Sequence, residues 1–317
     1  MRDLRIVFMG TPEFAVTILK KILEKGYNVA GVITAPDKPA GRGRKLHESA
    51  VKTFAVSQGL LVLQPTNLKS PDFIEKLHGL KPNVQVVVAF RMLPKIVWDL
   101  PEYGTFNLHA SLLPQYRGAA PINWAVINGE QKTGVSTFFL DEKIDTGEII
   151  LKKEVIIGPE ENVGELHDKL MIEGADLVVK TLDVIKNNEV KTQSQQKENL
   201  SSLKEAPKLT RENTRIDWKA PVERIYNHIR GLNPYPAAWS ELVNGKEVLS
   251  VQIYDVNIEK EKHNFENGFI VIENKKLKVS APGGFINIME IKLPGKRKMK
   301  VSDLLNGYKI EPEAKLV

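Results

Sequence analysis

The sequence predicts an α/β protein: a Rossmann-like, mostly parallel sheet carrying the chemistry, followed by a small, OB-like β-barrel. Over the first 190 residues short β-branched runs alternate with apolar residues at helical spacing, the signature of a largely parallel sheet covered on both faces. Beyond residue 207 a single helix gives way to closely spaced alternating segments, as in a small antiparallel barrel or sheet.

Residues 4–8 form a short apolar run, and Phe14, Ile18, Leu19, Ile22 and Leu23 follow it at helical spacing, so a buried strand leads into an amphipathic helix. Further strands are expected at residues 29–34, 60–63, 84–89, 105–109 and 135–139, with helical segments between most of them. A long helical stretch at residues 163–186 closes this region. Residues 192–205 are rich in Gln, Ser, Lys and Glu with few apolar side chains, the composition of an exposed linker. A helix at residues 221–230 and strands at 247–256, 268–273, 276–280 and 285–293 are expected after it. The predicted organisation is a catalytic domain at 1–190, a linker at 191–206 and a C-terminal barrel at 207–317.

Composition narrows the chemistry. A chain of 317 residues has room for two cores, and 42% apolar with 26% charged residues is ordinary for a globular protein. No run approaches the ~18 apolar residues of a membrane span, and the apolar start ends in Gly10-Thr11-Pro12 rather than in a small-residue cleavage site. No membrane association is expected, and a cytoplasmic location follows by default. The absence of cysteine excludes disulfides, thiolate nucleophiles and cysteine-ligated zinc. The net charge of +6 is uneven: residues 207–317 hold 19 Lys/Arg against 14 Asp/Glu, leaving 26 against 25 before them. Such an excess suits a polyanionic partner only if position supports it.

The densest polar cluster is Asn107-Leu108-His109-Ala110-Ser111-Leu112-Leu113-Pro114. Side chains alternate along a strand, so Asn107 and His109 share one face, at the carboxyl end of a strand where open α/β sheets place their crevices. A second cluster, Asp141-Glu142-Lys143-Ile144-Asp145-Thr146-Gly147-Glu148, follows the 135–139 strand as a polar turn. Alone, each pattern is more often structural than functional. If the turn folds back, Asp145 reaches His109, and an amide, an imidazole and a carboxylate then surround one point. This set suits acyl transfer to an amine: the amide steadies an oxyanion, the imidazole moves a proton, and the carboxylate orients or charges it. Ser111 as a nucleophile with His109 is disfavoured, because sequence neighbours on a turning chain rarely reach that geometry. His47, His78, His167, His228 and His263 have no such company, and surface or capping roles are expected of them. Metal, ATP and dinucleotide motifs are missing. The third feature is the loop Pro36-Asp37-Lys38-Pro39-Ala40-Gly41-Arg42-Gly43-Arg44-Lys45, whose Lys38, Arg42, Arg44 and Lys45 among glycines and prolines fit either a solvated loop or phosphate contact.

Taken together, these stretches resemble the methionyl-tRNA formyltransferase family over nearly the whole chain and in the family's order. The resemblance rests on Val7-Phe8-Met9-Gly10-Thr11-Pro12-Glu13-Phe14, the basic loop, the Asn107 to Pro114 signature, Tyr116-Arg117-Gly118-Ala119-Ala120-Pro121-Ile122 and Asp145-Thr146-Gly147. In the second domain Ala206-Pro207-Lys208-Leu209-Thr210, Arg215-Ile216-Asp217-Trp218 and Ile229-Arg230-Gly231-Leu232-Asn233-Pro234 also look like family sequence. The resemblance implies a formyl group passed from 10-formyltetrahydrofolate to the α-amino group of methionine on initiator tRNA, without a metal, by an enzyme expected to be a monomer. It implies Asn107, His109 and Asp145 as the catalytic trio, Ser111, Leu112, Leu113 and Pro114 lining the folate site, and Phe14 touching the methionine side chain. Lys38, Arg42, Arg44 and Lys45 would enter the acceptor end of the tRNA while the barrel grips its backbone. Phe90-Arg91-Met92-Leu93-Pro94 departs from the family, which more often has Tyr-Gly before this Leu-Pro, so pterin contacts are open there. Two alternatives stand beside this reading. One is folate-dependent transfer to a small amine, an amino sugar nucleotide or a purine precursor, against which the basic loop argues. The other is a non-catalytic tRNA-binding protein, against which the intact trio argues.

Overall fold

The computed structural model describes residues 1–40, 45–195 and 203–317. In chain order its elements begin with β1 (Arg5–Gly10), α1 (Glu13–Glu24), β2 (Asn28–Ile33), β3 (Lys38–Ala40), β4 (Lys45–His47), α2 (Ala50–Ser57), β5 (Val62–Leu63), α3 (Pro71–Gly79), β6 (Val84–Val88), α4 (Lys95–Trp98) and β7 (Thr105–His109). They continue with β8 (Arg117–Gly118), α5 (Pro121–Ile127), β9 (Lys132–Phe139), β10 (Ile149–Ile156), α6 (Val163–Lys186) and β11 (Glu205–Ala206). The chain ends with α7 (Val222–Arg230), β12 (Ala238–Asn244), β13 (Glu247–Glu259), β14 (Ile270–Glu273), β15 (Lys276–Ala281), β16 (Gly284–Lys292), β17 (Met299–Lys300), α8 (Val301–Gly307) and β18 (Lys315–Leu316).

Two compact units result. One comprises Met1–Gly118, Gly134–Val155 and Asp168–Glu205, the other Ala119–Thr133, Ile156–His167 and Ala206–Val317. The segments 119–133 and 156–167 group with the second unit for a physical reason. Ile127 of α5 belongs to the hydrophobic core of the second unit, with Trp124 packed against it. The buried Arg230 guanidinium donates 2.6 Å to the carbonyl of Glu161, so the 156–167 excursion is tied there as well.

The first unit is built on a seven-stranded sheet of order β10-β9-β7-β6-β1-β2-β5. Pairs β1/β2, β1/β6, β2/β5 and β6/β7 are parallel, and β7/β9 is antiparallel, so the expected mostly parallel sheet is found. All five residues of β6 are buried, as befits a central strand covered on both faces. Ile18, Leu19 and Ile22 of α1 are buried at helical spacing, and Glu13 lies in its first turn, where the helix dipole favours a carboxylate. Gly10 lets α1 sit close over the sheet, since a Cβ there would stand 2.6 Å from Cβ of Ala15 and 3.1 Å from the Val88 carbonyl. Strand order runs outward from β1 through β2 in one direction and through β6 in the other, which makes the β1/β6 boundary the topological switch point.

In the second unit the sheet order is β14-β15-β16-β13-β12-β18, with β17 on β16, and every named pairing is antiparallel. The row nearly closes on itself, because the Leu316 amide donates 2.8 Å to Gly268 and the Ile270 amide 3.0 Å to Ala314. The expected small barrel is therefore present, with a core that includes Ile225, Ile229, Val251, Ile253 and Ile288.

Candidate active site

β7 carries both Asn107 and His109. Its register sets Asn107 beside Val87 and Leu108 beside Val88 of β6, and Val88 in turn pairs with Gly10 of β1. The carboxyl ends of three parallel strands thus meet at one edge, next to the switch point. Asn107 is half-buried and His109 is 7% exposed. The side-chain amide of Asn107 makes no hydrogen bond with the described residues, and its Oδ1 is buried without a partner. An orphaned buried amide costs free energy in the absence of a ligand, so it marks a place prepared for one.

His109 is fixed from one side. Its Nε2 lies 2.8 Å from the carbonyl of Tyr116, and since a carbonyl only accepts, Nε2 carries the proton. Nδ1 then stands 3.9 Å from Oδ2 of Asp145, beyond hydrogen-bond length. Asp145 has φ 55°, a left-handed backbone that non-glycine residues seldom adopt. Its Oδ2 accepts the amide of Gly118 at 3.1 Å. Gly147 allows the turn to fold back, because a Cβ there would lie 1.8 Å from the Phe139 carbonyl.

His109 and Asp145 are therefore brought together, with Asn107 two residues before His109 on the same strand, and the other expected residues fall in different places. Ser111 is fully buried, and its Oγ donates 2.6 Å to the carbonyl of Gln115. Leu113 is fully buried in a cluster with Phe138 and Ile149, and its amide donates to Oγ of Ser136 at 3.1 Å. Pro114 is buried too, while Leu112 is half-buried, so this signature shapes the turn after β7 more than it displays side chains. Phe14 is 7% exposed in the first turn of α1, just beyond the end of β1. Of the basic loop, Lys38 is exposed on β3, Lys45 contributes its backbone to β4, and Arg42 and Arg44 lie outside the described residues. The loop's base is anchored at Asp37, which pairs with Lys52 and accepts 2.7 Å from Gln64 Nε2. These hydrogen bonds, that from Lys52 first, hold its carboxyl below the usual range.

Two features add to the sequence reading. Arg91-Met92-Leu93-Pro94 walls a cleft of about 710 Å³ that Asn67, Lys69 and Ile96 also line. Arg91 is held there by the Thr66 carbonyl at 3.0 Å and by the Pro65 carbonyl, and burial lowers its guanidinium pKa. The other is Gln195, expected within an exposed linker and found 4% exposed, with its amide spanning Arg117 and the Asp145 turn. Its signal was a polar composition that hid one inward-facing amide. His228, expected at the surface or in a cap, is half-buried with an unpartnered Nε2, and burial lowers its pKa. Among the described residues no group of three or more His, Cys, Asp or Glu is placed to hold a metal ion, and no helix is long and apolar enough to cross a membrane.

Comparison with known proteins agrees with this geometry. The formyl transferase family profile matches residues 4–182, and the formyl transferase C-terminal domain profile matches residues 208–309. Methionyl-tRNA formyltransferase of Flavobacterium johnsoniae is 54% identical over 316 residues, covering 100% of both chains. That of Bacteroides thetaiotaomicron is 51% identical, covering 99% of this chain and 98% of its own. Among solved structures, an N-formyltransferase from Helicobacter canadensis in complex with folinic acid and dTDP-3-aminofucose superposes with TM-score 0.67 at 21% identity, over 93% of this chain and 100% of that one. HypX from Aquifex aeolicus, in complex with tetrahydrofolic acid, does so with TM-score 0.65 at 16% identity, over 96% of this chain and 47% of that one. At these identities the two structures speak for the fold alone. With the site's signature residues assembled at the sheet edge and full-length relatives at half identity or more, the chain belongs to the methionyl-tRNA formyltransferase family.

Proposed function

We propose that the chain transfers the formyl group of 10-formyltetrahydrofolate to the α-amino group of methionine carried by initiator tRNA, giving N-formylmethionyl-tRNA for translation initiation. The observation that carries the reading is the partnerless buried Oδ1 of Asn107 on the strand of His109, whose Nδ1 lies 3.9 Å from Oδ2 of Asp145, in a chain 54% identical to a methionyl-tRNA formyltransferase along its whole length.

In this mechanism the neutral amine attacks the formyl carbon directly. A carbon–nitrogen bond forms, the carbonyl oxygen gains charge, and Asn107 Nδ2 donates to that oxyanion. The Nε2 proton of His109 is committed to Tyr116, so Nδ1 is the nitrogen left for the reaction. The proton shed by the attacking nitrogen passes to the His109–Asp145 pair and returns to N10 of the folate as the bond from N10 to the formyl carbon breaks. Tetrahydrofolate leaves and no metal is needed. The pterin enters the crevice beside Phe90-Arg91-Met92-Leu93-Pro94, and the turn of Ser111, Leu112, Leu113 and Pro114 bounds it. Phe14 meets the methionine side chain. Lys38, Arg42, Arg44 and Lys45 contact phosphates at the acceptor end, and the barrel contacts the tRNA backbone. The enzyme acts as a cytoplasmic monomer, with 1–190 as the catalytic domain, 191–206 as the linker and 207–317 as the tRNA-binding domain.

The test is formyl transfer from 10-formyltetrahydrofolate to methionyl initiator tRNA, compared with free methionine, with an amino sugar nucleotide and with a Lys38/Arg42/Arg44/Lys45→Ala variant. Rapid transfer to charged tRNA alone, with weaker salt dependence and a higher KM in the loop variant, is expected. Transfer to the small amine but not to the tRNA would replace this reading with the small-amine one.

A further inference from the structure

Three consecutive residues, Tyr116-Arg117-Gly118, touch three different parts of the site. The Tyr116 carbonyl accepts from His109 Nε2 at 2.8 Å, the Gly118 amide donates to Asp145 Oδ2 at 3.1 Å, and the Arg117 guanidinium donates to Oε1 of Gln195 at 2.7 Å and 3.2 Å. Gln195 closes the circuit. Its Nε2 donates to the carbonyl of Gly147 at 2.6 Å and to that of Asp145 at 3.2 Å. Both ends of one amide are therefore used, the acceptor toward a cation and the donor toward the backbone of the turn that carries Asp145.

The arrangement is held in place from behind. Gln193 and Ile149 exchange backbone hydrogen bonds at 2.9 Å in each direction, so the segment that delivers Gln195 is stitched to the first residue of β10. Gln195 itself is 4% exposed, where water does not replace a lost partner. Asp145 needs such support because its φ of 55° is a conformation its own chain does not favour.

We propose that Gln195 is a positioning residue for formyl transfer: by holding the backbone of Asp145 and Gly147 against Arg117, it aims the Asp145 carboxylate at Nδ1 of His109. This rests on the role given above to Asp145. Acting through the turn of Asp145 and not on a substrate, Gln195 changes turnover when lost and leaves substrate affinity alone. A carboxylate at the same place keeps the acceptors for Arg117 but turns an oxygen toward two carbonyls, which repels the turn that the amide secures.

The experiment is steady-state formyl transfer to methionyl initiator tRNA by the full chain and by Gln195→Ala, Gln195→Glu, Asp145→Asn and the Gln195→Ala/Asp145→Asn double variant, each checked by thermal melting. Gln195→Ala and Gln195→Glu are expected to lower kcat about tenfold or more with both KM values within about twofold. In the Asp145→Asn background the Gln195 change is expected to add almost nothing, because it acts through Asp145. A folded Gln195→Glu with wild-type kcat overturns the proposal, as does a loss that multiplies with that of Asp145→Asn or that appears in KM alone. If Gln195→Ala does not fold, the isosteric Gln195→Glu decides the matter by the same criteria. Asp145→Asn alone separates the two levels: full activity there removes the role of Asp145 and the proposal with it, whereas an impaired Asp145→Asn beside an unaffected Gln195→Glu removes the proposal only.

Discussion

The catalytic edge and the barrel hold their backbones by different means. In the barrel, ladders do the work: β12 pairs with β13 through seven consecutive residues in unbroken register, and its side chains alternate between buried and half-buried. At the catalytic edge the chain is irregular, with φ of 45° at Ala89, 58° at Tyr116 and 55° at Asp145, and single side chains such as Gln195, Ser136 and Gln64 tie it down. Left-handed residues occur in the barrel unit too, at Ala237, Asn274 and Lys275, but those flank strands of the ladder, whereas the ones at the sheet edge are offset by specific side-chain hydrogen bonds. Activity and stability should therefore respond to different substitutions in the two regions.

The sharpest test is Asn107→Ala. Loss of a donor to the oxyanion is expected to cost about a hundredfold or more in kcat, while the melting temperature stays level or rises, because the substitution removes a buried acceptor that has no partner. A large fall in melting temperature would break the comparison, making Asn107 structural. In the barrel the expectation reverses. Ile253, fully buried in β13, should cost about 2–5 kcal/mol of stability as Ile253→Ala, read by denaturant unfolding, with kcat per folded molecule unchanged. The smallest effect concerns the base of the basic loop. Asp37 has its carboxyl pKa lowered by Lys52 and Gln64, so its stabilising contribution is complete above the unfolded carboxylate value and fades as pH falls through the folded one. Melting curves of wild type and Asp37→Asn should differ at neutral pH and converge in acid; a constant gap would show that the pair does not hold the loop.

Where side-chain pattern and backbone agree, the sequence was legible. The β-branched runs behind β1, β2, β6, β7 and β9 were readable, as were α1, α6 and α7, because burial repeats at the period of each element. β10 was missed because Lys152, Lys153 and Glu154 interrupt its apolar residues, as an edge strand of the sheet permits. β12 was missed because two of its inward positions are Ser240 and Asn244, buried yet polar, with Ser240 Oγ accepting from Trp218 Nε1 at 2.9 Å. In the site, Asn107 and His109 were readable from spacing two on a strand, and the approach of Asp145 was conditional on a turn whose left-handed residue has no glycine to announce it. Gln195 was illegible for the same reason as β12: a buried polar group looks like solvent in sequence.

The buried hydroxyl of Ser111, spent on the carbonyl of Gln115, has a kinetic consequence. With no cysteine in the chain and this serine turned inward, neither a thiol nor the Ser111 hydroxyl is offered to hold the formyl group, in keeping with the direct transfer proposed above. Both substrates must be present together in a ternary complex, so initial-rate plots against one substrate at fixed levels of the other should intersect rather than run parallel, and labelled formyl should never be trapped on the enzyme.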